Sequence, residues 1–337
     1  MVMTLVSRAA IAASMLAATA FSAAAQDLEQ VRFGTNWVAQ AEHGGYYQAV
    51  VDGTYAACGL DVEIVPGGPQ ANNRMLLPVG RIDFYMGGNL IQAFSAIREE
   101  IPTIVVAASF QKDPQILMSH PDQGLDDFAD LPDADQLLIG REGFATSYQW
   151  LMVAHGFRED NVRPYTFNPA PFIADPGAVQ QGYLTSEPFA IESEAGFTPN
   201  VFLLADQGFA TYATTIETRR ELVEENPDIV QCFVDGSAIG WYNYLYGDNA
   251  DANAMIMRDN PEMTEDKIAY SIEKLKEYGI VDSGDARELG IGAMTEERIE
   301  TFFAQMVEAG LFEADLDFRQ AYTLEFTNNG VGMELRP

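Results

Sequence analysis

From residue 31 onward, short apolar runs alternate with amphipathic segments. "VRFGTNW" predicts a strand, followed by a helix from about His43 to Ala57 whose Tyr46, Val50 and Tyr55 fit one face loosely. "LDVEIVPGG" alternates apolar and acidic residues at period two and stops at Pro-Gly-Gly, the pattern of a strand and its exit. "NNRMLLPVG" predicts a short helix closed by glycine, "RIDFYMGGN" a strand ending in a glycine pair, "LIQAFSAIREE" a helix, and "PTIVVAASF" a fully apolar strand. Strands separated by helical stretches of this length imply parallel sheets with right-handed crossovers.

A second series follows. "QILMSH" and "QLLIGREG" read as strands, "ATSYQWLMVAHGF" as a helix, "VRPYTFN" as a strand, "IADPGAVQQG" as an interrupted helix, "YLTSEP" as a strand start and "NVFLLAD" as a last strand. From about Glu217 the character changes to long helices with charged faces and apolar stripes. No internal repeat or low-complexity linker separates the two series, so short crossings join them. The fold class expected is α/β with two lobes.

The first 25 residues stand apart. Arg8, an alanine-rich apolar run from Ala9 to Phe21, and Ser22-Ala23-Ala24-Ala25 form the pattern of a secretory signal peptide, too short for a transmembrane helix. Cleavage is expected near Ala25, with the mature chain in a bacterial periplasm. No cysteine stands at the cleavage point to carry a lipid anchor. Loss of the peptide removes only Arg8, which takes the formal charge from −31 to −32. Such a charge repels nucleic acid and anionic lipid, leaving a solvated acidic surface. Two cysteines, Cys58 and Cys232, would pair only if their Cα atoms lie within about 7 Å, which sequence leaves open. Scattered His43, His120 and His155 offer no metal-ligand spacing. No metal and no cofactor is expected.

The order of "NWVAQAEHGGYYQAVVDGTYAACGLDVEIVPGG", "LPVGRIDFYMGGN" and "YLTSEPFAIE" resembles the periplasmic binding proteins of ABC importers, in the branch that includes thiamine-pyrimidine-precursor, riboflavin and nitrate, sulfonate and taurine binders. The likeness covers most of the mature chain. It implies a two-lobed periplasmic binding protein fold (type II), each lobe a mainly parallel sheet flanked by helices, with the ligand in a cleft between them. The first lobe would comprise residues 26–118 plus 215–337 and the second 119–214. In open α/β sheets ligands sit beyond the carboxyl ends of strands, where the signature residues fall. The resemblance also implies a monomeric binding component that hands a small molecule to a membrane permease with its ATPase.

Candidate contacts follow from strand ends and helix starts. Asn36 and Trp37 end the first strand; an indole offers a flat face to a heteroaromatic ring and an amide reads its edge. Trp37 as a core anchor is the alternative. His43, Tyr46 and Tyr47 open the next helix beside Gly44 and Gly45, where free N–H groups favour polar ligand atoms and glycines admit close approach. Adjacent tyrosines face different ways, so at most one reaches the cleft. Gly88 and Asn89 stand at one mouth, and Glu142, Phe144, Thr146 and Tyr148 at the mouth of the second lobe, with Thr146 alternatively a helix cap. Glu187 in "TSEPF" matches in character an acidic residue of the pyrimidine-binding relatives, and Tyr212 sits near the return crossing, to stack or to act at the hinge.

Acidic and aromatic groups dominate this set, and Arg141 is its one basic neighbour. Sulfonate or nitrate capture recruits Arg, Lys or several backbone donors. The reading therefore favours a thiamine pyrimidine precursor, of hydroxymethylpyrimidine or formylaminopyrimidine type, over riboflavin and over sulfonate or nitrate. Eukaryotic relatives that synthesise the pyrimidine carry a cysteine-rich iron motif that this chain lacks, and no nucleophile elbow, zinc helix or phosphate loop appears. Adjacent Glu42 and His43 point apart on a helix and form no dyad. The chain is not expected to be an enzyme. A periplasmic sensor module remains the alternative of a different class.

Overall fold

The computed structural model describes residues 28–337; the expected signal peptide lies outside the described residues. Among the described residues, ten strands form two five-stranded sheets. The first contains β1 (Glu29–Gly34), β2 (Leu60–Val65), β3 (Phe84–Asn89), β4 (Thr103–Phe110) and β10 (Ala213–Arg219), in the order β2-β1-β3-β10-β4. The second contains β5 (Gln115–Ser119), β6 (Gln136–Ile139), β7 (Val162–Pro164), β8 (Ala178–Tyr183) and β9 (Asn200–Leu203), in the order β7-β6-β8-β5-β9. In each sheet four strands run one way. The reversed strand is β10 in the first and β5 in the second. Both reversed strands begin immediately after the chain has passed from one sheet to the other. This is the two-lobed α/β architecture with mainly parallel sheets.

Burial explains which runs became which strands. On β2, Leu60, Val62 and Ile64 point into the core while Asp61 and Glu63 face solvent, as an edge strand with one wet face requires. Every residue of β4 is buried, although β4 is also an edge, because the C-terminal segment covers it through bridges from Val105 to Tyr322 and from Ala108 to Gly292.

Three elements depart from the sequence reading. "IADPGAVQQG" is a short helix, Ala170–Ala174, then a turn and β8, whose side chains are buried on both faces and so show no alternation. "YLTSEP" is accordingly the turn after β8, and Glu187 opens the helix Glu187–Ala195. β10 occupies residues read as the start of a long helix, since its Thr215, Glu217 and Thr218 are polar yet buried in the sheet. Because β5 pairs with β8 and β9, the outward crossing lies at 111–114 rather than near Ser119.

Gly44 and Gly45 serve packing. The helix Gly44–Val51 crosses the helix Pro227–Tyr246 so closely that a Cβ on Gly45 would lie 2.3 Å from the Trp241 ring, and one on Gly44 2.0 Å from Tyr244. These glycines admit a neighbouring helix, not a ligand.

The interlobe cleft

The end of β1 feeds a loop that is held rigidly before it reaches the cleft. Thr35 donates its hydroxyl to the Trp37 carbonyl at 2.9 Å, and Gly67 N–H donates to the same carbonyl at 3.1 Å. A Cβ on Gly67 would meet Thr35 O at 2.3 Å, so the Pro-Gly-Gly exit of β2 backs the loop that presents Asn36 and Trp37. The half-buried indole reaches across to the second lobe, with its ring 6.1 Å from Tyr165 and 6.2 Å from Phe167. Gly140 leaves room for its edge, since a Cβ there would lie 3.1 Å from the ring.

Between the lobes lies a narrow cavity of about 40 Å³. Eight of the candidate residues line it: Asn36, Trp37, His43, Gly88, Asn89, Glu142, Thr146 and Glu187. Asn36 donates to Glu142 Oε1 at 3.5 Å across the cleft. A Cβ on Gly88 would sit 2.8 Å from that oxygen, so the glycine lets the lobes approach. Asn89 caps the helix Leu90–Arg98 through Ile91 N–H and donates to Asp113 Oδ2 at 3.3 Å. Thr146 turns its hydroxyl back to the Glu142 carbonyl at 2.8 Å, steadying that residue instead of capping the helix that follows. Glu187 accepts from Tyr183 N–H at 2.8 Å and from the Tyr165 hydroxyl at 3.0 Å.

Five candidates lie elsewhere and are corrected here. Tyr46 packs on Phe33 and Trp241 and bonds Ser109 at 2.7 Å. Tyr47 turns the other way and donates to Asp259 at 3.1 Å, so both tyrosines are core residues. Phe144 stacks on the buried Tyr148, whose hydroxyl is taken by the Arg158 carbonyl. Tyr212 lies beside the return crossing: its hydroxyl donates to Asp285, and Arg298 lies over its ring at 4.1 Å while donating to the carbonyls of Gln111 and Thr211, one in each crossing.

The sequence reading missed Glu42, Asp113 and Gln115 and the β8 end at Gln181, Gly182 and Tyr183, all of which line the cavity. Asp113 follows β4 in "QKDPQ", where an Asp-Pro turn at a strand end was the available signal. On a helix, Glu42 and its neighbour His43 would point apart. The two sit instead on a short 3-10 turn, Ala41–His43, and both face the cavity.

Electrostatically the cleft is acidic. Its described lining has four carboxyls, Glu42, Asp113, Glu142 and Glu187, and no Lys or Arg. Burial pushes Asp113 up to about 6 and Glu142 and Glu187 up to about 7, and it raises Glu42. Burial also lowers His43 to about 3, so its imidazole is neutral. Because the folded carboxyls hold protons more tightly than the unfolded chain, their stabilising contribution is complete below the unfolded values, near 4. It is lost as pH rises through about 6 to 7. The melting temperature of ligand-free protein is therefore expected to fall from about pH 5 to about pH 8, with a shallower fall in Glu142→Gln. A flat profile in the parent protein would mean that these groups ionise freely in the fold.

The comparisons with known proteins agree with this architecture. The family model described as NMT1/THI5 like matches residues 40–252. A riboflavin-binding protein, RibY of Chloroflexus aurantiacus, is 25% identical over 315 residues, covering 90% of this chain and 87% of the relative. Among solved structures, the periplasmic aliphatic sulphonate-binding protein SsuA of Escherichia coli superposes with a TM-score of 0.58 at 16% identity, covering 87% of this chain and 91% of its own. The periplasmic nitrate-binding protein NrtA of Synechocystis gives 0.55 at 12% identity, covering 87% and 84%. The matched residues run from the cleft loop through the whole second lobe and past the long helix of the first, and on that span the chain belongs to the NMT1/THI5-like family, with the fold of the periplasmic binding proteins.

Proposed function

We propose that this chain is the solute-binding component of an ABC importer, working in the periplasm as a monomer. It captures a flat, donor-rich heteroaromatic molecule between its lobes and passes it to a permease with its ATPase. The ligand favoured is a thiamine pyrimidine precursor of the hydroxymethylpyrimidine or formylaminopyrimidine type. One observation carries this: an indole face and four carboxyls converge on a cleft whose described lining holds no Lys or Arg. An aminopyrimidine presents a ring to stack and an exocyclic amine to donate, whereas a sulfonate or nitrate would meet only acids and amides. No helix among the described residues is long and apolar enough to cross a membrane.

Riboflavin is the second reading, favoured by the likeness to the riboflavin-binding relative. Its ring system is also flat, and carboxyls that hold their protons near neutral pH can donate to its carbonyls.

A thermal-shift series with hydroxymethylpyrimidine, formylaminopyrimidine, riboflavin, an alkanesulfonate and nitrate separates these readings, because a ligand bound only by the folded state raises its melting temperature. The pyrimidines are expected to shift it. A shift by riboflavin alone selects the second reading, and one by sulfonate or nitrate alone overturns both. Trp37→Ala is expected to weaken calorimetric affinity for the ligand that shifts the parent by about 1–3 kcal/mol, with little change in ligand-free stability. A large loss of ligand-free stability would instead show that the indole mainly packs the lobes together.

A further inference from the structure

The protein's own donors engage both oxygens of two of the four cleft carboxyls and one oxygen of each of the others. Gln115 N–H and Asn89 hold the two oxygens of Asp113, Tyr183 N–H and Tyr165 hold those of Glu187, and Asn36 approaches Glu142. Glu42 differs. Its Oε1 accepts the hydroxyl of Thr185 from the opposite lobe, while its Oε2 is buried with no partner and the residue is only 2% exposed. Beside it, buried His43 Nδ1 is also unpartnered. Buried carboxylate oxygens are rarely left unpaired, so one facing a cleft marks where a ligand donor belongs.

Thr185 is also where the lobes close. Gln40 donates to Ser186 at 3.1 Å, and Ser271 donates to the Thr185 carbonyl at 2.7 Å, so the first lobe grips the turn that leads into Glu187. Closure thus carries Glu42 of one lobe toward Glu187 of the other, and the charge on Glu42 adds to the upward push on Glu187. Two carboxylates brought together out of water oppose that approach unless a positive charge or a proton comes between them.

We infer that Glu42 determines specificity: its Oε2 accepts an N–H from a cationic or amidine-like ligand, and that ligand offsets the Glu42–Glu187 repulsion that otherwise keeps the lobes apart. An anion adds to the repulsion, and a ring without a donor leaves Oε2 unpaired. This inference rests on the ligand-binding reading above.

Glu42→Gln keeps the shape and an oxygen for Thr185 but removes the charge, and Thr185→Val removes only the interlobe bond. Small-angle scattering of ligand-free protein across about pH 5 to 9 reads closure without any ligand. Glu42→Gln is expected to have a smaller radius of gyration than the parent, and Thr185→Val one at least as large. Calorimetry with 4-amino-5-hydroxymethyl-2-methylpyrimidine then reads the donor, with a loss of about tenfold or more expected in Glu42→Gln. Equal radii for parent and Glu42→Gln overturn the repulsion, and equal affinities overturn the donor contact. If the pyrimidine does not bind the parent protein, the ligand reading fails, while the scattering comparison still decides whether Glu42 holds the lobes apart.

Discussion

Replacing Cys58 and Cys232 together by serine is expected to lower the unfolding free energy by about 3–5 kcal/mol. The two are bonded, with Cα atoms 5.8 Å apart and a separation of 174 positions in sequence. The bond fastens the end of the helix Thr54–Ala57 to the helix Pro227–Tyr246, and the loop it closes contains the whole second lobe. In the chain-entropy account, closing so long a loop restricts the unfolded ensemble far more than the folded one. The surrounding packing survives the substitution, since Tyr55 stacks on Phe233 at 5.2 Å and bonds Ser237 at 2.8 Å. Denaturant unfolding of the oxidised, reduced and double-serine proteins tests this. Ligand affinity should stay within about twofold, because neither cysteine lines the cleft. A stability loss below about 1 kcal/mol would mean that the unfolded chain keeps these ends together without the bond.

Sequence reasoning reached the fold where local pattern and tertiary environment agree. The alternation of β2, the continuous apolar run of β4 and the glycine pair closing β3 are each readable because the neighbours that bury them follow from the strand pattern itself. β10 was unreadable for the opposite reason. Its Thr215, Glu217 and Thr218 are buried by partners more than a hundred residues away, so polarity misrepresented burial. The same separation misled the site. Tyr46 and Tyr47 are covered by helices that begin far later in the chain, at Pro227 and Ala250, and nothing local marks them as core. Asn36 and Trp37 were legible because a strand end fixes where they point. Glu42 was not, because its importance comes from Thr185, which only lobe closure brings to it.

Glu217→Ala is expected to cost about 3–5 kcal/mol of stability and to weaken ligand capture as well. The carboxylate is almost completely buried on β10 and holds the Arg74 guanidinium at 3.1 Å, which also donates to the Gln92 carbonyl at 2.9 Å. Gly87 exists to admit it, since a Cβ there would lie 2.3 Å from Glu217 Oε1. Truncation leaves a largely buried guanidinium without its counter-charge, which costs more than the intact pair contributes. One substitute is Glu142, on which Arg74 already acts electrostatically. Drawn toward Arg74, Glu142 would leave Asn36 and lose its place at the cleft wall. The double variant Glu217→Ala/Arg74→Met removes both charges and should recover much of the stability, because apolar replacement of a whole buried pair is often neutral. It should also recover affinity, since no cation remains to compete for Glu142. Denaturant unfolding and calorimetry on the two variants therefore separate two causes. Recovery of stability without affinity would show that Arg74 itself is needed to shape the cleft, and a single-variant loss below about 1 kcal/mol would show that the guanidinium reaches water unaided.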